Sequence, residues 1–283
     1  MSQVDEIISL VKKDECQDGA NFSSHDLKGL KLKGASFKNS LFSDVNFDQS
    51  QLNQISFAHS NLENASFKGA TLKSIDFSSA NLHKVNFDES ILINCDFKNA
   101  RIEDASFSSS RITESGFKGS NLNYSNFYSA NIQNCDFSFT RLMYIYAKSI
   151  QVYSSRFKGI NARGSDFSFC KFSDVIMQGS NLKYTDFNSC TLKEVKLKYS
   201  NLTGAELKDA YCKGLDLKEA NLEGANLTYA NMEQSNLENA FMLEANLHGT
   251  NFNLANLKNA YLIDANFSKA ITKGAKLENT IFD

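Results

Sequence analysis

"DFKNARIEDASFSSS", Asp96 to Ser110, places Phe97, Ile102 and Phe107 five residues apart, with Cys95, Ala100 and Ala105 two residues ahead of each. A helix repeats every 3.6 residues and a plain strand every two, so neither explains a period of five. Outward from this stretch the register holds from Ala20 to Asp283 without an insertion. Positions numbered with a final 2 or 7, from Phe22 to Phe282, form a class of 53, and all are Phe, Leu, Ile, Met or Val except Ala147, Ala162, Cys212 and Thr272. Positions ending in 5 or 0 are mostly small, and the residue between the two classes is often Asn or Asp, as in Asn221, Asn226 and Asn231. Two inward side chains flanking one outward one describe a strand of about three residues.

Glycine marks where each unit bends. Thirteen of the 14 Gly residues carry numbers ending in 4 or 9, Gly116 being the exception, and Asn39, Asn64, Asn99, Asn239, Asn259 and Asn279 share the class. Gly and Asn tolerate positive φ, so each five-residue unit is expected to end in a tight turn that needs it. A unit this short cannot bury its own face. The units must therefore wind into a coil whose successive turns stack as a parallel β-solenoid.

"ANLEGANLTYANMEQSNLENA", Ala220 to Ala240, resembles the A(D/N)LXX signature of the pentapeptide-repeat family, and the resemblance extends over residues 20–283. It implies an all-β fold, a right-handed four-sided parallel β-helix with four units per coil. The 53 units then make about 13 coils, on the order of 60 Å in length at about 4.8 Å per strand. The number four comes from the resemblance; the sequence is compatible with it, because Phe recurs every ten residues from Phe37 to Phe137. An even-sided coil then stacks Phe37, Phe57, Phe77, Phe97, Phe117 and Phe137 in one column and Phe47, Phe67, Phe87, Phe107 and Phe127 in the opposite one. Residues 1–19 are expected to form a short N-terminal capping helix and lead-in, with Ser2 as N-cap and Val4, Ile7, Ile8 and Val11 on one stripe. Residues 20–283 form the repeat domain, and with the repeat running to Phe282 its last coil is expected to be uncapped.

Composition narrows the function. The formal charge of −2 gives no polycation for nucleic acid, and direct nucleic-acid binding is not expected. The first residues lack a basic and apolar leader and no apolar run is long enough to span a membrane, so a cytoplasmic protein without membrane attachment is expected. Cys95, Cys135, Cys170 and Cys190 fall in the small inward class and Cys212 in the large one, which reads as buried, reduced structural thiols, with Cys170 and Cys190 one coil apart. His25, His59, His83 and His248 are scattered without metal-ligand spacing, and no nucleophile–base constellation or phosphate loop occurs. We therefore expect no catalytic, cofactor-binding or metal site, and no cofactor.

The surface remains. The resemblance implies, as one alternative, a rod mimicking DNA that acts on DNA gyrase or topoisomerase IV, as in the quinolone-resistance members. The faces centred on Phe22 and Leu32 are only weakly acidic and weakly basic, which favours instead a non-enzymatic scaffold for a protein partner of unknown identity. Two features stand out. Outward Tyr124, Arg141, Met143, Tyr144, Arg163, Lys183 and Tyr184 make an aromatic and basic candidate partner patch, in a zone where Ile145 with Ala147 and Ile160 with Ala162 invert the usual small-then-large order. Outward Phe241, Leu243, Tyr261, Ile263 and Ile281, with Phe282 beside them, form an apolar candidate interface through which a homodimer is expected.

Overall fold

The computed structural model describes residues 5, 7–9 and 17–282. Of the expected N-terminal helix, Asp5 and Ile7, Ile8 and Ser9 are helical, with Ile7 buried, while Ser2, Val4 and Val11 lie outside the described residues. The chain divides into two compact units, Met1–Arg141 and Leu142–Asp283.

The backbone of one repeat shows why five residues close a unit. In Asp96–Ala100, the Asp96 N–H donates to Ile75 O one coil below at 2.9 Å, and those of Phe97 and Asn99 donate to Gly116 O and Lys118 O one coil above at 2.7 and 3.1 Å. The Ala100 N–H turns back to Phe97 O at 3.0 Å. The last donor, Lys98 N–H, is taken by Asp96 Oδ1 at 2.8 Å. All five backbone donors are satisfied, which is the condition a buried turn of chain must meet. The bend itself lies at the residues ending in 4 or 9: from Gly19 to Asn279 all 53 have positive φ, 13 of them Gly and 40 carrying a side chain. Gly116, the glycine outside the class, does not share it.

In the first unit, β1 (Lys31–Ser36), β2 (Gln51–Ser56), β3 (Thr71–Lys73), β4 (Ile91–Ile93), β5 (Arg111–Thr113) and β6 (Asn131–Gln133) lie along one side. They pair in parallel at a step of 20 residues, Lys31 against Gln51 and Thr71 against Ile91. Four five-residue units thus make one coil. The other sides carry the same step as single-residue bridges, such as Asn61 with Asn81 and Asp76 with Asp96. β1 and β2 are twice the length of the others because they run through a left-handed residue, Gly34 or Gln54, onto the next side.

The second unit repeats the plan with β7 (Gln151–Arg156), β8 (Lys171–Ile176) and β9 (Thr191–Lys193). Past β9 the same side continues as the bridges Thr191, Tyr211, Asn231, Asn251 and Ile271. The named strands are all parallel and mark about eight turns, fewer than the 13 expected from the repeat count, because the coils beyond them pair only through single-residue bridges.

The core follows the inward classes. In the first unit both Phe columns form, with Phe97 to Phe117 ring centroids at 4.5 Å and Phe117 to Phe137 at 4.4 Å. In the facing column Phe87 stands 5.1 Å from Phe67 and 5.0 Å from Phe107, and the columns meet edge to face, Phe77 to Phe87 at 5.9 Å and 70°. Such edge-to-face and offset contacts are favoured by the ring quadrupole. In the second unit Ile145, Ala147, Ile160 and Ala162 are all buried, so the inverted order keeps its volume inside. From Ala265 onward the inward classes are only partly covered, and Leu277 and Phe282 are exposed.

Candidate interaction surfaces

Each outward side chain is placed by its class. The residue before the inward large one sits on the coil ladder, the residue after it beside the ladder, and the next at the left-handed corner. Corner positions are normally Gly, Asn or small polar, because a bulky side chain at positive φ is strained. Yet Tyr124 and Phe139 in the first unit, and Tyr144, Phe169, Tyr184, Tyr199, Tyr229 and Leu254 in the second, occupy corners with φ between 56° and 63° and are exposed.

In the second unit four of these six corner residues lie on glycines one coil above, while Phe169 and Tyr199 have Ser189 and Glu219 there. A Cβ added at Gly164 would meet Tyr144 Cε1 at 2.6 Å, at Gly204 Tyr184 Cδ1 at 2.6 Å, at Gly249 Tyr229 Cδ1 at 2.5 Å, and at Gly274 Leu254 Cδ2 at 2.8 Å. At these four corners the glycine is favoured by its φ and required by the side chain laid across it. The pairing was available in the sequence as a bulky residue and a Gly twenty apart.

The seven residues of the basic and aromatic patch are distributed over both units. Tyr124 and Arg141 are exposed in the first. In the second, Met143 and Lys183 are half-buried, while Tyr144, Arg163 and Tyr184 are exposed. The structure brings the Arg163 guanidinium to 5.6 Å from the Tyr184 ring centroid, a cation–π contact.

The apolar residues form a column in the second unit. Phe241 bridges to Tyr261 and Tyr261 to Ile281, and the Phe241 and Tyr261 rings stack at 4.9 Å and 7°. Phe241, Ile263 and Ile281 are exposed; Leu243 and Tyr261 are half-covered. Phe282 belongs to the inward class but is 45% exposed, with its edge against Phe267 at 5.8 Å.

Three ion pairs on this unit join charges one coil apart, Lys213 to Glu233 at 2.8 Å, Lys218 to Glu238 at 3.0 Å and Lys198 to Asp216 at 3.2 Å. Among the described residues no three His, Cys, Asp or Glu side chains stand together to hold a metal ion, and no helix is long and apolar enough to cross a membrane. Cys95, Cys135, Cys170, Cys190 and Cys212 are buried free thiols, and the Cys170 N–H donates to Cys190 Sγ at 3.2 Å. Burial pushes Cys95 up to about 12 and Cys135 to about 11, the opposite of what a reactive thiolate requires.

Stacked five-residue units with a satisfied backbone and inward apolar columns define a four-sided parallel β-solenoid. Models of the pentapeptide repeat region match residues 18–94, 70–145, 90–167 and 150–227, and pentapeptide repeats in eight copies match 242–279. The chain belongs to the pentapeptide repeat family, whose proteins are typically structural or interaction proteins. Among solved structures it is similar to HetL, a pentapeptide repeat protein involved in heterocyst differentiation regulation from the cyanobacterium Nostoc sp., with 22% identity over 100% of this chain and 97% of that one and a TM-score of 0.44. It is similar also to Rfr23 from the cyanobacterium Cyanothece, with 23% identity over 47% of this chain and 91% of that one and a TM-score of 0.34. QnrB1, a plasmid-mediated fluoroquinolone resistance protein, is 16% identical over 89% of this chain and 92% of that one, with a TM-score of 0.28. No curated protein matches the sequence.

Proposed function

We propose that this chain is a non-enzymatic protein-interaction scaffold that pairs with a second copy of itself through the apolar column of its second unit. The observation that carries this reading is the stack of Phe241 on Tyr261 in outward slots, continued by Ile281 and flanked by Leu243 and Ile263. In the preceding coils the same slots hold Asn201, Thr203, Asn221 and Glu223. Contiguous exposed apolar side chains mark interfaces, and a two-fold arrangement lets one such face cover its own copy. Covering these side chains contributes up to about 1.5–3 kcal/mol each, less what is already covered in the single chain and less the cost of association.

Static light scattering tests it. Wild-type protein at high micromolar concentration should show twice the 31.6 kDa chain mass, and Phe241→Glu with Ile263→Lys should return it to the chain mass. A wild-type monomer contradicts the pairing. The DNA-mimic alternative, acting on DNA gyrase or topoisomerase IV, is not adopted. It calls for a strongly acidic face, whereas the face centred on Phe22 is only weakly acidic and the Leu32 face weakly basic.

A further inference from the structure

Summing charge along whole faces conceals a local feature of the second unit. Residues 156–164, 176–184 and 196–204 occupy the same two adjacent sides of three successive coils, and they carry Arg156, Lys158, Arg163, Lys183, Lys196 and Lys198 with no Asp or Glu. The two sides meet at the corner formed by Gly159, Gly179 and Tyr199, all at positive φ. Arg156, Lys158, Arg163 and Lys196 are exposed and Lys183 and Lys198 half-exposed. Of the six, only Lys198 forms an ion pair among the described residues, with Asp216 at the upper margin. Carboxylates border the patch on its other flanks, at Asp174 and Glu194 along one edge and at Asp166 and Asp186 along the other.

From this edge we infer a docking site for an acidic polypeptide segment, one rich in Asp and Glu, on a partner protein. It deepens the scaffold reading, on which it rests, by giving the partner a chemistry, and it uses coils apart from the apolar column. Charge complementarity selects an anion: five cations held without a carboxylate partner repel one another and gain by meeting negative charge. The shape of the site selects among anions. Proteins that hold single-stranded nucleic acid combine a basic groove with aromatic faces free to stack on bases. Here the cations flank a convex corner, not a groove. Of the exposed rings here, Tyr184 already carries Gly204 from the coil above and the Arg163 guanidinium 5.6 Å from its centroid from the coil below, which leaves Tyr199 as a single ring at the corner rather than a row of stacking faces. The cations on one side of the corner fall two residues apart, Arg156 with Lys158 and Lys196 with Lys198, of which Lys198 is also held by Asp216. At about 6.6 Å along extended chain, this spacing matches alternate carboxylates of an extended acidic peptide draped over the corner.

Fluorescence anisotropy with a labelled ten-residue poly-L-glutamate peptide and the full chain tests the site. Wild type should bind with a Kd that rises at least tenfold between 50 and 200 mM salt. Arg156→Ser, Lys158→Ser and Lys196→Ser together should weaken binding at 50 mM at least tenfold, as should the separate pair Arg163→Gln and Lys183→Gln. Removing three lysines elsewhere, Lys33→Ser, Lys118→Ser and Lys258→Ser, should leave it within twofold. Equal losses in the patch and control variants, or no salt-sensitive binding by wild type, overturn the site. A single-stranded or duplex oligonucleotide of equal charge that binds more tightly than the peptide overturns the choice of partner. Patch variants should keep the wild-type mass in light scattering, so a failure here is distinct from a failure of self-pairing.

Discussion

The Asn or Asp that recurs before the inward large residue closes a donor which the coil ladder leaves over. Asp96 Oδ1 takes the Lys98 N–H, and the same contact recurs from Asn86 to Asp88 at 2.8 Å and from Asn221 to Glu223 at 2.9 Å. Such a local cap resembles that of a helix N-terminus, where loss of the acceptor costs about 0.5–2 kcal/mol. Asp96→Ala should therefore lower stability by about 1 kcal/mol in urea unfolding while Asp96→Asn stays near wild type; equal losses would remove the capping role. A second prediction concerns Cys95. Burial holds its thiol at about 12 in the folded chain against 9.0 ordinarily, so between those values the unfolded chain binds fewer protons than the folded one. Stability contributed by this thiol is complete below pH 9 and declines as pH rises toward 12, by up to tenfold in the unfolding equilibrium per pH unit. The Cys95→Ala variant should show a shallower alkaline decline than wild type, and parallel curves would contradict the burial.

At the scale of the coil, the period of five and the two inward classes were legible because packing against the next coil selects side-chain size at fixed positions. Phe87 stands fully buried between Phe67 and Phe107, and Phe87→Ala should cost about 3–5 kcal/mol, with Lys98→Ala costing little. The corners were legible only in part. Glycine located them, but 40 of the 53 carry side chains, since an αL residue costs only about 1–3 kcal/mol where stacked coils hold it in place. What distinguishes one corner glycine from another is the coil below. Gly179 has open space around an added Cβ, whereas at Gly204 it would strike Tyr184. Gly204→Ala should therefore lower the melting temperature more than Gly179→Ala, and adding Tyr184→Ala should restore part of the difference; equal effects would mean that φ alone requires the glycine.

Across the molecule, the family and the stacking of units could be read from the sequence, while the surfaces were read unevenly. The apolar column was visible because Phe241, Tyr261 and Ile281 interrupt a polar class. The basic edge was read only in part, through Arg163 and Lys183, because its other cations lie around the corner on the adjacent side. Local charge becomes legible only when the 20-residue step places Arg163 directly below Lys183, and Arg156 and Lys158 two coils below Lys196 and Lys198. The whole architecture rests on that 20-residue step, and deleting a coil probes it. Removing residues 61–80 from the first unit takes out one coil and leaves every later residue in its class, so the circular-dichroism melt should remain a single cooperative transition near that of wild type. Removing residues 61–78 displaces the classes of every later residue and should abolish or broadly weaken that transition. Two deletions with the same melt would contradict a four-sided coil of five-residue units.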